Sequence, residues 1–125
     1  MDSEKKLKYA AIKKSISKQF NSDDVEYLGC DRFCLRQHYP VTIKGRETVM
    51  YKCSLFDEDG NLVPLMLEYN GIYSFMNNLA PVSVRENIQF TENQKFSSDK
   101  KFGLIDIQGK EILPCIYESV SVKLG

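Results

Sequence analysis

The chain has no tryptophan, one histidine, four prolines and four cysteines, and neither charge is in excess, since 17 Lys and Arg balance 17 Asp and Glu. Each scarcity excludes something. Zero net charge speaks against a dedicated nucleic-acid binder, where phosphate neutralisation demands a surplus of Lys and Arg. No apolar run approaches the ~20 residues that span a bilayer. The leading stretch MDSEKKLKYAAIKKS lacks the apolar core of a secretory signal, and no Asn-x-Ser/Thr acceptor occurs, so the expectation is a soluble, cytoplasmic protein without a membrane partner. Cys30, Cys34, Cys53 and Cys115 are scattered rather than dense and read as free thiols. Neither a Gly-x-Gly-x-x-Gly run nor a P-loop supplies a phosphate cradle.

The 125 residues suffice for a single domain spanning 1–125, burying roughly two thirds of the unfolded surface in one core. Residues 1–22 read as an N-terminal helix. Tyr9, Ile12, Ile16 and Phe20 recur at spacings of 3, 4 and 4 and form one apolar stripe, with Asp2 or Ser3 as the cap. The opposite face carries Lys5, Lys6, Lys13 and Lys14. Residues 1–20 hold six lysines against Asp2 and Glu4, so a basic helix adjoins the acidic cluster Asn21–Asp24.

From Val25 the texture turns to β: Tyr, Val, Ile and Phe in short segments broken by Gly, Asn and Asp. Residues 25–49 form a β-hairpin region, with a tight turn at Lys44-Gly45 leading into a strand from Arg46 to Phe56. In that strand Val49, Tyr51, Cys53 and Leu55 share a face, because side chains alternate. Further strands are expected at Leu62–Leu67, Ile72–Phe75 and Leu79–Val84. The polar, poorly patterned stretch 87–101 reads as an insertion with the character of a long loop.

The strongest pattern is internal repetition. Lys52–Leu67 reads KCSLFDEDGNLVPLML and Lys101–Val120 reads KFGLIDIQGKEILPCIYESV. Both contain two apolar residues, Asp-x-x-Gly, a second apolar pair and a proline. The physics of the unit is a strand, a turn in which Asp accepts backbone N–H bonds while Gly takes positive φ, a returning strand, and a proline that ends pairing. Asp57-Glu58-Asp59-Gly60 is such a turn and no calcium loop, since Leu55 and Met66 would occupy the first and twelfth ligand positions.

On Phe102-Gly103-Leu104-Ile105-Asp106, Gly109, Lys110, Glu111, Pro114, Tyr117 and Glu118 the chain resembles the WG (Trp-Gly) repeat family. Tyr69, Ile72, Phe75, Leu79, Ala80 and Val82 resemble the second half of an earlier unit. The resemblance spans about residues 50–122 and implies two WG-like units within 50–125. Phe102 stands where the family has Trp, and Cys53-Ser54 replace Trp-Gly. It also implies a mainly β (α+β) fold of antiparallel hairpins, against which we expect the amphipathic helix to pack.

Two chemistries compete with that reading. Cys30, Cys34 and His38 sit four residues apart and would supply three zinc ligands, with Cys53 as a fourth, or a thiol nucleophile with its base. Such a site would make the chain a small metal- or thiol-dependent enzyme. The leading expectation is instead a non-catalytic, cofactor-free module that binds another protein, a class in which inhibitors and immunity-type proteins fall. The lysine face (Lys5, Lys6, Lys13, Lys14) is the candidate contact surface, with nucleic acid a weaker alternative.

Overall fold

The computed structural model describes residues 3–90 and 95–122. Helix α1 (Ser3–Phe20) precedes eight strands: β1 (Val25–Gly29), β2 (Arg32–Ile43), β3 (Arg46–Phe56), β4 (Leu62–Val63), β5 (Gly71–Ile72), β6 (Leu79–Phe90), β7 (Phe96–Asp106) and β8 (Glu111–Tyr117). They form two four-stranded sheets, β1-β2-β3-β4 and β5-β6-β7-β8, antiparallel at every pairing. The expected mainly β fold with one N-terminal helix is what forms. The helix starts at Ser3, which therefore lies in its first turn, while Asp2 falls outside the described residues.

Alternation along the strands makes three layers. Phe33, Leu35 and Phe56 join Val25 in a cluster with Tyr9, Ile12 and Ile16 of the helix, and Phe20 packs at its margin. Their chain neighbours Cys34 and Leu55 point the other way, into a second cluster with Leu28, Cys53, Ile72, Ala80, Val82 and Ile105. The first sheet is therefore buried on both faces. Rings hold the helix at both ends: Tyr9 stacks on Tyr27 (4.7 Å) and meets Phe33 edge-on, and Phe20 meets Phe56 edge-on (5.6 Å). The Tyr9 hydroxyl donates to Asp31.

The two Asp-x-x-Gly turns share one hydrogen-bond pattern. The Asp57 carboxylate accepts the N–H groups of Asp59 and Asn61, and that of Asp106 accepts those of Gln108 and Lys110, all at 2.9–3.0 Å. In each turn the Gly N–H donates back to the Asp carbonyl, and Gly60 and Gly109 sit at φ 79° and 80°. The aligned sequences thus fold alike. The structural repeat is larger, however, and is a whole sheet. Val25, Phe33, Leu35 and Phe56 face the helix; 47 to 49 residues later, Ile72, Ala80, Val82 and Ile105 face the first sheet. The helix stands where a preceding sheet would. A Cβ built on Gly60 would rest 3.6 Å from Ile12, whereas one on Gly109 would collide with the Pro64 carbonyl of the first sheet.

Three differences from the sequence reading have physical causes. Residues 87–90 and 96–101 are arms of the β6–β7 hairpin rather than loop, because backbone ladder hydrogen bonds hold strands that lack an apolar pattern; residues 91–94 lie outside the described residues. The strand expected at Leu62–Leu67 stops at Val63, before Pro64, which has no N–H to continue the ladder. Val49 and Tyr51 are exposed while Cys53 and Leu55 on the same face are buried, since the β2–β3 hairpin projects past the second sheet's cover.

Polar groups tie the layers. Arg32, buried between them, donates to the Ile107 carbonyl (2.6 Å) and pairs with Glu58 (2.7 Å), linking one Asp-x-x-Gly turn to the other. Asn70 donates to the Tyr51 carbonyl and accepts from the Arg85 N–H, so one amide spans both sheets. Tyr69 is wholly buried, and its hydroxyl has no hydrogen-bond partner among the described residues.

Two outcomes follow for denaturant unfolding. Gly45→Ala, at φ 80° with open space around it, costs roughly 1 kcal/mol, and Gly109→Ala costs at least about twice that because the new methyl pushes on the neighbouring backbone. Equal costs at the two sites would contradict the packing. Tyr69→Phe stabilises by about 1 kcal/mol, removing a buried unsatisfied hydroxyl; a loss of stability would show that the hydroxyl is partnered after all.

Candidate functional site

Where the hairpins pass one another, a cleft of about 710 Å³ opens between β1, β2 and β3 on one side and β5, β6 and β7 on the other. Rings and cations alternate along it. The Arg36 guanidinium lies 5.3 Å over the Tyr51 ring, and the Lys100 ammonium lies 5.3 Å from the ring centres of both Tyr73 and Phe102. Arg36 also pairs with Asp24 (2.8 Å), which pushes the guanidinium's pKa up, and Arg85 donates to Ser98 (2.8 Å). Register explains the placement: Arg36 opposes Cys53 across β2–β3, Ser83 opposes Phe102, and Arg85 opposes Lys100 across β6–β7. Residues 120–122, after β8, also line the cleft.

Cys34 and Cys53 meet at the cleft floor as diagonal neighbours on one face, Cys34 opposing Leu55 and Cys53 opposing Arg36. The two thiols hydrogen-bond to one another. That bond, with burial, raises the Cys34 pKa far above its ordinary value; the same bond lowers that of Cys53, against the effect of burial. Cys53 sits 3.7 Å from the Asn70 carbonyl, to which its thiol donates.

The residues singled out from sequence are dispersed. Cys30 occupies the two-residue β1–β2 turn with Asp31, both at positive φ (50° and 58°), as a type I′ hairpin requires. His38 lies further along β2, exposed and opposite Tyr51. A turn separates Cys30 from Cys34, so equal spacing does not become a shared face. Among the described residues no three His, Cys, Asp or Glu side chains gather where a metal ion could be held, and Cys30, Cys34 and His38 are not brought together. Cys34 finds Cys53 instead. Lys5, Lys6, Lys13 and Lys14 are exposed on α1, outside the cleft. Sequence reasoning missed Arg36, Arg85 and Lys100, whose convergence depends on register between strands far apart in the chain. No helix among the described residues is long and apolar enough to cross a membrane.

Alkaline stability follows from the buried acids. Burial pushes Cys115 up to about 11 and Tyr69 up to about 12, with Glu111 adding to both, and Asp31 with burial raises Tyr9. Groups whose folded pKa is raised contribute fully below their unfolded values and lose the contribution as pH climbs through the folded ones. Stability therefore falls between about pH 9 and 12, and Cys115→Ser softens the part of the fall below about 11. Unfolding midpoints flat across that range would contradict these environments.

Among known proteins, the family model described as a WG containing repeat matches residues 102–122. Neither the curated proteins nor the solved structures give a match. The matched stretch is the second half of β7, its Asp-x-x-Gly turn, β8 and the residues leading into the cleft. At residues 102–122 the chain is thus similar to a WG containing repeat.

Proposed function

We propose that the chain is a non-catalytic protein-binding module whose cleft receives an extended segment of a partner protein. The observation that carries this reading is the cleft of about 710 Å³ itself, walled by Arg36, Tyr51, Tyr73, Lys100 and Phe102. Rings give broad contact at small entropic cost, and the cations Arg36, Arg85 and Lys100 suit a segment with acidic or carbonyl-rich groups. A WG-type repeat fits a binding role, because stacked hairpin units offer extended surfaces.

A photo-reactive residue at Ser74, an exposed position on the cleft rim, is expected to capture a discrete polypeptide from native lysate. Lys100→Glu or Tyr51→Ala lowers the yield about tenfold, the loss typical of a cation or aromatic anchor. The same residue at Val49, exposed outside the cleft, captures none. No capture from Ser74 at any salt concentration, or equal capture from both positions, would overturn the reading.

A further inference from the structure

Two of the four cysteines share the floor of the cleft, and partner binding makes no use of them. Cys34 on β2 and Cys53 on β3 lie on the face of the first sheet that packs against the second. They are diagonal neighbours, since Cys34 opposes Leu55 and Cys53 opposes Arg36. Both thiols are free, both line the cleft, and their residues are 5% and 4% exposed. Cys30, in the β1–β2 turn, and Cys115, on β8, lie outside the cleft.

The two sulfurs are not equivalent. The Cys34 thiol donates to Cys53, and the Cys53 thiol donates in turn to the Asn70 carbonyl at 3.7 Å. A backbone N–H bond at Ile72 also favours a Cys53 thiolate, as does the Arg36 guanidinium across the ladder. Asp24 opposes that thiolate, and Glu26 opposes ionisation of Cys34. Two hydrogen-bond donors and a cation outweigh burial and one carboxylate at Cys53, so it ionises first. The thiolate is the nucleophile, which makes Cys53 the attacking sulfur and Cys34 its protonated neighbour.

We propose that Cys34 and Cys53 are a modification site at which hydrogen peroxide closes a reversible disulfide that reshapes the cleft wall. The Cys53 thiolate attacks one peroxide oxygen; the S–O bond forms as the O–O bond breaks, and the departing oxygen takes a proton and leaves as water. The Cys34 sulfur, giving up its proton, then attacks the Cys53 sulfenic acid, whose hydroxyl leaves as a second water. Two thiols are oxidised and both peroxide oxygens are reduced, so the balance needs no other reactant. Diagonal neighbours in an antiparallel pair stand about 7–8 Å apart, whereas a disulfide prefers Cα atoms about 5.5–6 Å apart. Closing the bond therefore draws β2 and β3 out of their resting alignment, beside Arg36 and Tyr51 on the cleft wall. A bond that works against its strands is readily reduced, so a dithiol reductant reopens it by exchange. The chemistry needs no partner and stands apart from the protein-binding reading.

The test exposes the fully reduced, intact chain to hydrogen peroxide and follows it by intact mass and peptide mapping. One disulfide forms, joining Cys34 to Cys53, and dithiothreitol reverses it. NMR signals of Arg36 and Tyr51 shift on oxidation, while those of Lys13 and Lys14 on the helix stay in place. Cys34→Ser leaves Cys53 as a sulfenic acid that dimedone traps. Cys53→Ser slows oxidation of Cys34 at least about tenfold, because the ionised sulfur is gone. Cys30→Ser combined with Cys115→Ser changes neither the rate nor the pairing. Mapping of the unsubstituted chain decides the matter even where a variant fails to fold. No disulfide in the native chain, a different pairing, a bond only between copies, or Arg36 and Tyr51 signals unmoved by oxidation would overturn the proposal. Cross-linking from Ser74 reads partner binding independently, so failure of the thiol pair leaves that result standing.

Discussion

Phe33, Cys34 and Leu35, with Leu55 and Phe56 on the facing strand, leave neither side of the first sheet to water. Alternation sends Phe33, Leu35 and Phe56 toward the helix and Cys34 and Leu55 toward the second sheet. A sheet apolar on both faces is stable only between two covers. The helix and the second sheet therefore depend on it and, through it, on each other. Removing Phe33 or Phe56 would cost about 3–5 kcal/mol by the usual cavity relation, a large share of a small domain's stability.

The helix fills a position in a series. Sheets related by 47 to 49 residues stack so that each presents equivalent residues to the layer before it, and Ile12 meets Gly60 as Pro64 and Leu65 meet Gly109. A layer of another kind thus closes one end of the stack, the role terminal caps play in repeat proteins. Stacking also shapes the surface. Projecting hairpins set Arg36, Tyr51, Lys100 and Phe102 around a cleft, and repetition places like residues at successive outer strands.

How much of this the sequence discloses depends on whether a signal is local. The stripe Tyr9, Ile12, Ile16 and Phe20 is local, and it packs as its spacing implies. Asp57 and Asp106 act within four residues of themselves, so their turns are legible to the hydrogen bond. The Lys44-Gly45 turn is legible too, because Gly accepts positive φ. The turn at Cys30-Asp31 carries no such mark, and missing it made Cys30, Cys34 and His38 look like one face. The cleft was hidden for a deeper reason: Cys34 meets Cys53 and Tyr73 meets Phe102 through pairings separated by tens of residues, which no periodicity encodes. Buried Arg32, bonded to Ile107 and Glu58, likewise reads in sequence as one more surface cation.

Native-state hydrogen exchange on the intact chain tests the layered stack most directly. If the first sheet is the layer on which both covers depend, amides of β2 and β3 near Phe33–Leu35 and Ser54–Phe56 exchange slowest and only through global unfolding. Helix amides and those of β7 and β8 should then exchange through smaller openings. Slowest exchange in β6 and β7, with β2 and β3 opening first, would contradict the account.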